Sequence, residues 1–172
     1  GGQGTMYLAR DMELGTFWAI KQLPLSMKKE AEILRRLNHS SLPRMTDYTE
    51  QDDKCYLVME YIKGKSLNEY LKTNNLLSFE EILTITRTIL QIFQYLHSQK
   101  PPIYYGDLKP ENLMRTETGK IYLVDFGSAL YSYGTVRKNI KGTKGYAAPE
   151  QYQGMLTAAS DFYALGKTIQ QL

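Results

Sequence analysis

Disulfides, strong net charge and long apolar runs are all scarce in this sequence. Its 172 residues include one cysteine, Cys55, so no internal disulfide can form. That cysteine lies in the apolar run CYLVMEYI and reads as a small buried hydrophobe, compatible with a reducing compartment. The 21 basic and 18 acidic residues leave a net charge of +3. This is too weak to draw nucleic acid or a membrane surface as partner. No stretch approaches the roughly 18 apolar residues of a spanning helix. No basic-then-apolar leader opens the chain, and there are no repeats or low-complexity tracts. The expectation is a cytoplasmic stretch, and a membrane tether elsewhere in a longer protein is compatible with it.

The 172 residues, 42% of them apolar, are enough for one sizeable core and too few for two full domains of usual size. Residues 5–10 and 16–22 alternate apolar with polar and predict two half-buried strands around a turn at Glu13-Leu14-Gly15. Residues 26–38 predict a helix with Met27, Glu30, Leu34 and Leu37 on one face. Residues 45–50 and 54–62 predict two further strands. The texture then changes. Residues 66–72 predict a short helix, and residues 78–97 a long one. The long helix opens on the capping box Ser78-x-x-Glu81, with Leu77 placed to staple onto Ile82. Short strands at 113–115 and 121–124, a loop to about 147 and a helix from about 158 follow. The fold class is α+β, strand-rich in its first third and helix-rich after it, with a boundary near Tyr61–Gly64.

The polar residues that stand out sit at defined places in this pattern. Glu30 faces the apolar side of its helix, and a carboxylate there needs a cation. Lys21, at a strand end among apolar neighbours, is the candidate; the plain alternative is a lysine whose stem packs while its amine reaches water. The run Tyr105-Gly106-Asp107-Leu108-Lys109-Pro110-Glu111-Asn112 is followed by Asp125-Phe126-Gly127. Asp107 can accept a proton, and Asn112 with Asp125 can supply hard oxygen ligands to a divalent cation. Lys109 can neutralise a transferring phosphoryl group. Gly1 and Gly4 have the spacing of a phosphate-cradling turn, although a simple hairpin glycine pair reads the same way.

These segments, in this order, resemble the signature of a eukaryotic-type Ser/Thr protein kinase catalytic domain, in a form with bacterial wording. The resemblance implies a bilobal fold: residues 1–62 as a β-rich N-lobe with one helix and an incomplete glycine-rich loop, and residues 63–172 as a partial helical C-lobe. It implies an ATP- and magnesium-dependent transfer of the gamma-phosphoryl group to hydroxyls of a protein substrate. Asp107 then orients or deprotonates the substrate hydroxyl. Lys21, paired with Glu30, holds ATP phosphates together with Gly1 and Gly4, and Asn112 and Asp125 hold the metal. Met59, Glu60 and Ile62 form the hinge behind and beside adenine, and Met6, Ala19 and Leu113 sandwich the ring. Thr143 and Glu150, in GTKGYAAPE, belong to the substrate-binding activation segment, and Asp161 braces the catalytic loop. Ser128, Tyr131, Ser132, Tyr133, Thr135 and Thr143 are candidate phosphosites.

Three departures qualify the resemblance. Tyr105-Gly106 stands where the family has His-Arg, so Gly106 cannot ion-pair a phosphorylated segment, while Tyr105 can fill the space under Phe126. The first glycine is absent. The chain also reads as truncated at both ends, and the partner the family gives Glu150 lies beyond residue 172, which implies an unpaired buried carboxylate and a less stable piece. Rival readings are a pseudokinase or nucleotide-binding scaffold and, more weakly, a small-molecule kinase.

Overall fold

A computed structural model describes residues 4–73, 76–132 and 142–172. The chain divides into two compact units, Gly1–Lys63 and Gly64–Leu172. In the first, β1 (Thr5–Arg10), β2 (Phe17–Pro24), β3 (Met45–Gln51) and β4 (Lys54–Glu60) form an antiparallel sheet in the order β1-β2-β4-β3. The sheet follows from alternation: along β4, Cys55, Leu57 and Met59 are buried while the residues between them are not, as the two-residue period of a strand requires. The β3–β4 turn runs through Asp52 and Asp53, both at positive φ, a conformation that aspartate tolerates better than most residues. At the edge, β1 is more exposed than its alternation predicts. Met6, Tyr7 and Leu8 all show large exposed surfaces, because β1 pairs with β2 alone among the described strands.

The helix expected over 26–38 is much shorter. A 3-10 turn, Leu25–Met27, leads into α1 (Lys29–Leu34). After Arg35 the backbone bonds tighten to i→i−3, from Arg36 N–H to Ile33 and from Leu37 N–H to Leu34. This is a common way for a helix to end. Asn38 and His39, poor helix formers, follow. The His39 Nδ1 accepts from the N–H of Ser41. Ala31, Ile33, Leu34 and Leu37 are still buried, so the expected apolar face exists on less helix.

The second unit carries α2 (Leu67–Lys72), α3 (Phe79–His97), the short α4 (Pro149–Tyr152) and α5 (Ala158–Ile169). It also holds a sheet of β5 (Gly64–Ser66), β7 (Leu113–Thr116) and β8 (Ile121–Leu123), and a pair formed by β6 (Ile103–Tyr104) and β9 (Leu130–Tyr131). The α3 capping box is formed: Ser78 Oγ accepts from Glu81 N–H at 3.2 Å, and Glu81 Oε2 accepts from Ser78 N–H at 2.8 Å. Ile85, Ile89, Ile92, Phe93 and Leu96 make the buried stripe of α3. That helix packs on α5, with Phe93 edge-on to Phe162 at 5.9 Å between ring centres. The expectation missed β5, β6, β9 and α4, all four residues or fewer, too short to show a period. Among the described residues no helix is long and apolar enough to cross a membrane.

Candidate active site

In the first unit, Lys21 sits in central strand β2, opposite Met6 on β1 and Leu57 on β4. Its Nζ donates to both oxygens of Glu30, at 2.7 and 2.8 Å, with side chains 12% and 2% exposed. Glu30 opens α1, so the short helix exists long enough to place it. Gly4 has a packing reason for being glycine: a Cβ there would lie 2.6 Å from Leu23 Cδ2 and 2.7 Å from the Gln22 carbonyl oxygen. Gly1 lies outside the described residues. Ala19 faces Leu8 and Met59 in the ladder. Met59 and Ile62 are buried, and the Glu60 N–H is spent on the Arg44 carbonyl at 2.9 Å.

In the second unit the loop after β6 folds Asp107 into a dense network. Asp107 Oδ1 accepts from the hydroxyl of Thr143 at 2.7 Å and from its N–H at 3.1 Å. Oδ2 accepts from Lys109 Nζ at 2.8 Å, and the same Nζ donates to Thr143 Oγ1 at 2.7 Å. Asn112 Nδ2 donates to the Asp107 backbone oxygen at 2.9 Å. That bond fixes the amide so that Oδ1 is the oxygen left over. Asn112 O in turn accepts from Val124 N–H at 2.9 Å, extending the Leu113–Leu123 pairing and setting Asn112 beside the strand end that leads to Asp125. Asp125 is exposed at φ 62°, and its Oδ1 accepts from Gly127 N–H at 3.2 Å.

This pair fits a magnesium ion. It offers one carboxylate and one amide oxygen, and magnesium characteristically takes one or two protein ligands and draws the rest from water and phosphate. Among the described residues no cluster of three or more His, Cys, Asp or Glu side chains offers a complete metal cage.

The loop is held from below. Asp161, fully buried at the start of α5, accepts from Tyr105 N–H at 3.0 Å through Oδ2 and from Gly106 N–H at 2.8 Å through Oδ1. His97 Nε2 lies 2.8 Å from the same Oδ2. His97 at the end of α3 therefore also fixes the brace. Tyr105 is fully buried, edge-on to Phe126 at 5.3 Å, and its hydroxyl donates to the Val124 carbonyl at 2.6 Å. It occupies the space under Phe126 and fastens the residue preceding Asp125.

Two expectations change. Leu113 is fully buried and offers no surface to a ring. Its neighbour Met114, on the opposite face of β7 by strand alternation, is half-exposed. Glu150 is neither fully buried nor unpaired: its Oε1 accepts from Ser160 Oγ at 2.7 Å, so the destabilisation argued from a missing partner loses its basis. Of the candidate phosphosites, Tyr131 is buried, and Tyr133 and Thr135 lie outside the described residues. Sequence reading missed Gln151, whose Oε1 accepts from Ala148 N–H and whose Nε2 donates to the Gly106 carbonyl. The available signal was a glutamine three residues past the N-cap of a Pro-initiated turn.

A family model described as a protein kinase domain matches residues 1–172. The chain belongs to the protein kinase domain family. It is 35% identical over 196 residues to serine/threonine-protein kinase B of Synechocystis, with 98% of this chain and 34% of that protein covered. It is also 35% identical over 186 residues to serine/threonine-protein kinase PrkC of Bacillus subtilis, with coverage of 100% and 28%. To serine/threonine-protein kinase D of Synechocystis it is 33% identical over 196 residues, with coverage of 98% and 38%. This kinase-family chain thus spans about a third of the length of these curated relatives.

Proposed function

We propose that this chain carries the catalytic machinery of an ATP-dependent Ser/Thr protein kinase. The observation that supports this best is the position of Lys109 Nζ, within hydrogen-bond distance of both Asp107 Oδ2 and Thr143 Oγ1. The amine and the carboxylate are thus held side by side, and phosphoryl transfer asks a protein chiefly for positioning and charge neutralisation. Asp107 orients the substrate hydroxyl and takes its proton. Lys109 steadies the developing charge on the moving phosphoryl group. Lys21, fixed by Glu30, holds ATP phosphates. Asn112 Oδ1 and the Asp125 carboxylate would hold a magnesium ion, which when bound offsets the charge of the phosphate oxygens. Ala19, Met59, Glu60 and Ile62 of the first unit, with Met6 as a flexible cover, are the residues this reading gives to adenine. Protein substrates and a cytoplasmic setting for this stretch belong to the same reading.

The test is the Asp107→Asn variant of the full-length protein. It should lose at least about a hundredfold in kcat on a protein substrate, the usual scale of general acid–base assistance, while ATP binding persists. Turnover at the wild-type rate would overturn the assignment. The scaffold alternative predicts no magnesium-dependent transfer from the wild type at all.

A further inference from the structure

Gln151 is 3% exposed, and both ends of its amide are engaged. Nε2 donates to the Gly106 carbonyl at 2.8 Å, and Oε1 accepts from Ala148 N–H at 2.9 Å. Gly106 immediately precedes Asp107. On its other flank the amide lies against the backbone preceding Thr143: a Cβ at Gly142 would stand 3.0 Å from Gln151 Nε2 and 2.6 Å from the Ala147 Cβ. One neutral side chain therefore bonds the chain just before the proton-accepting carboxylate and fills the space a side chain would need just before the threonine that hydrogen-bonds that carboxylate.

Gly106 needs such a contact. It sits at φ 79°, where a glycine peptide has more rotational freedom than any other residue. Its N–H is taken by Asp161 and its carbonyl by Gln151, so the two faces of one pivot are held by two elements. Rotation of the peptide between Gly106 and Asp107 would swing the Asp107 side chain away from Thr143 and Lys109.

We propose that Gln151 is a positioning residue for phosphoryl transfer, its amide N–H locking the Gly106–Asp107 peptide plane so that the Asp107 carboxylate stays in register with Thr143 and Lys109. The inference rests on the phosphotransferase reading above. A purely structural role, capping the first turn of α4, uses a different atom of the same side chain, Oε1. The two roles are therefore chemically separable. Glutamate at 151 keeps the cap acceptor but sets a carboxylate oxygen against the Gly106 carbonyl oxygen. Once protonated, that carboxyl regains an O–H that can donate to the carbonyl.

The experiment compares the full-length wild type with Gln151→Glu and Gln151→Met, using magnesium-ATP and dephosphorylated casein. Both variants should lose about tenfold in kcat with less than about a twofold change in KM for ATP, the scale of one hydrogen bond of about a kcal/mol. The deficit of Gln151→Glu, measured as its ratio to wild type, should shrink between about pH 8 and about pH 6 as the buried carboxyl takes up a proton. That of Gln151→Met should stay flat. Amide hydrogen exchange over residues 105–109 should quicken in both variants, with α3 unchanged. Wild-type kcat in Gln151→Glu across the range, or pH-independent losses in both variants that track the folded fraction, would overturn the proposal. A wild type that transfers no phosphoryl group would overturn the kinase reading instead. Exchange over 105–109 then decides on Gln151 alone, and unchanged protection sinks the clamp.

Discussion

Lys21 Nζ bonds both carboxylate oxygens of Glu30, at 2.7 and 2.8 Å, and the Glu30 side chain is only 2% exposed. A charge this enclosed depends on the cation supplied to it. Lys21→Met should lower the unfolding free energy by about 3 kcal/mol, the scale for breaking a buried pair from one side. Adding Glu30→Leu to Lys21→Met should restore part of the loss, because the buried charge is then gone as well. Urea unfolding of the two variants measures both numbers.

Tyr105 separates packing from hydrogen bonding. Tyr105→Phe keeps the ring against Phe126 and gives up the 2.6 Å bond to Val124 O. The expected cost is about 1 kcal/mol, seen as a small drop in melting temperature. Tyr105→Ala opens a cavity beside Phe126 and should cost about 3–5 kcal/mol. Calorimetry on both variants checks the ratio.

Gly106 cannot take an arginine without strain. Its φ of 79° is costly for any other residue, and a Cβ would lie 2.8 Å from Leu156 Cδ2 and 3.3 Å from the Ser128 carbonyl oxygen. Gly106→Ala should destabilise by about 1–3 kcal/mol. Gly106→Arg should reduce transfer activity rather than create dependence on phosphorylation. A gain of activity on phosphorylation in that variant would refute this.

Glu81 links stability to acid. The Ser78 N–H bonded to its carboxylate, with help from the Ser78 hydroxyl and Arg115, holds it below the ordinary value of 4.5. A group lowered in the folded state contributes stability that is present above its unfolded pKa and lost as pH falls through its folded pKa. Urea midpoints should therefore decline below about pH 4.5, and Glu81→Gln should flatten that decline. The same sign holds for Glu69, lowered by the Ser66 N–H and hydroxyl.

What could be read from the residues depended on the length of the pattern. The 19 residues of α3 show a full apolar stripe and a capping box, so it was foreseen within a residue. The alternating strands of the first unit were foreseen to within two residues at each end. Helix α1 was not, since Leu37 stays buried after the backbone has left the helix, and apolar spacing alone does not register that change. The Lys21–Glu30 pair followed from one rule, that a carboxylate on an apolar face needs a cation. For Gln151 the capping position signalled only the contact of Oε1 with Ala148 N–H. A buried amide is neutral, and its partner Gly106 lies 45 residues away in sequence. Leu113 is buried and Met114 half-exposed, a difference that strand alternation carried one residue further would have shown.

Asp161 gathers Tyr105 N–H, Gly106 N–H and His97 Nε2 onto one carboxylate with no solvent exposure. Letting the loop swing free would strip that anion of its donors inside an apolar surround. Helix α5 and residues 105–106 are therefore bound into one cooperative unit of opening. Small excursions of residues 105–106 apart from that helix are thereby disfavoured.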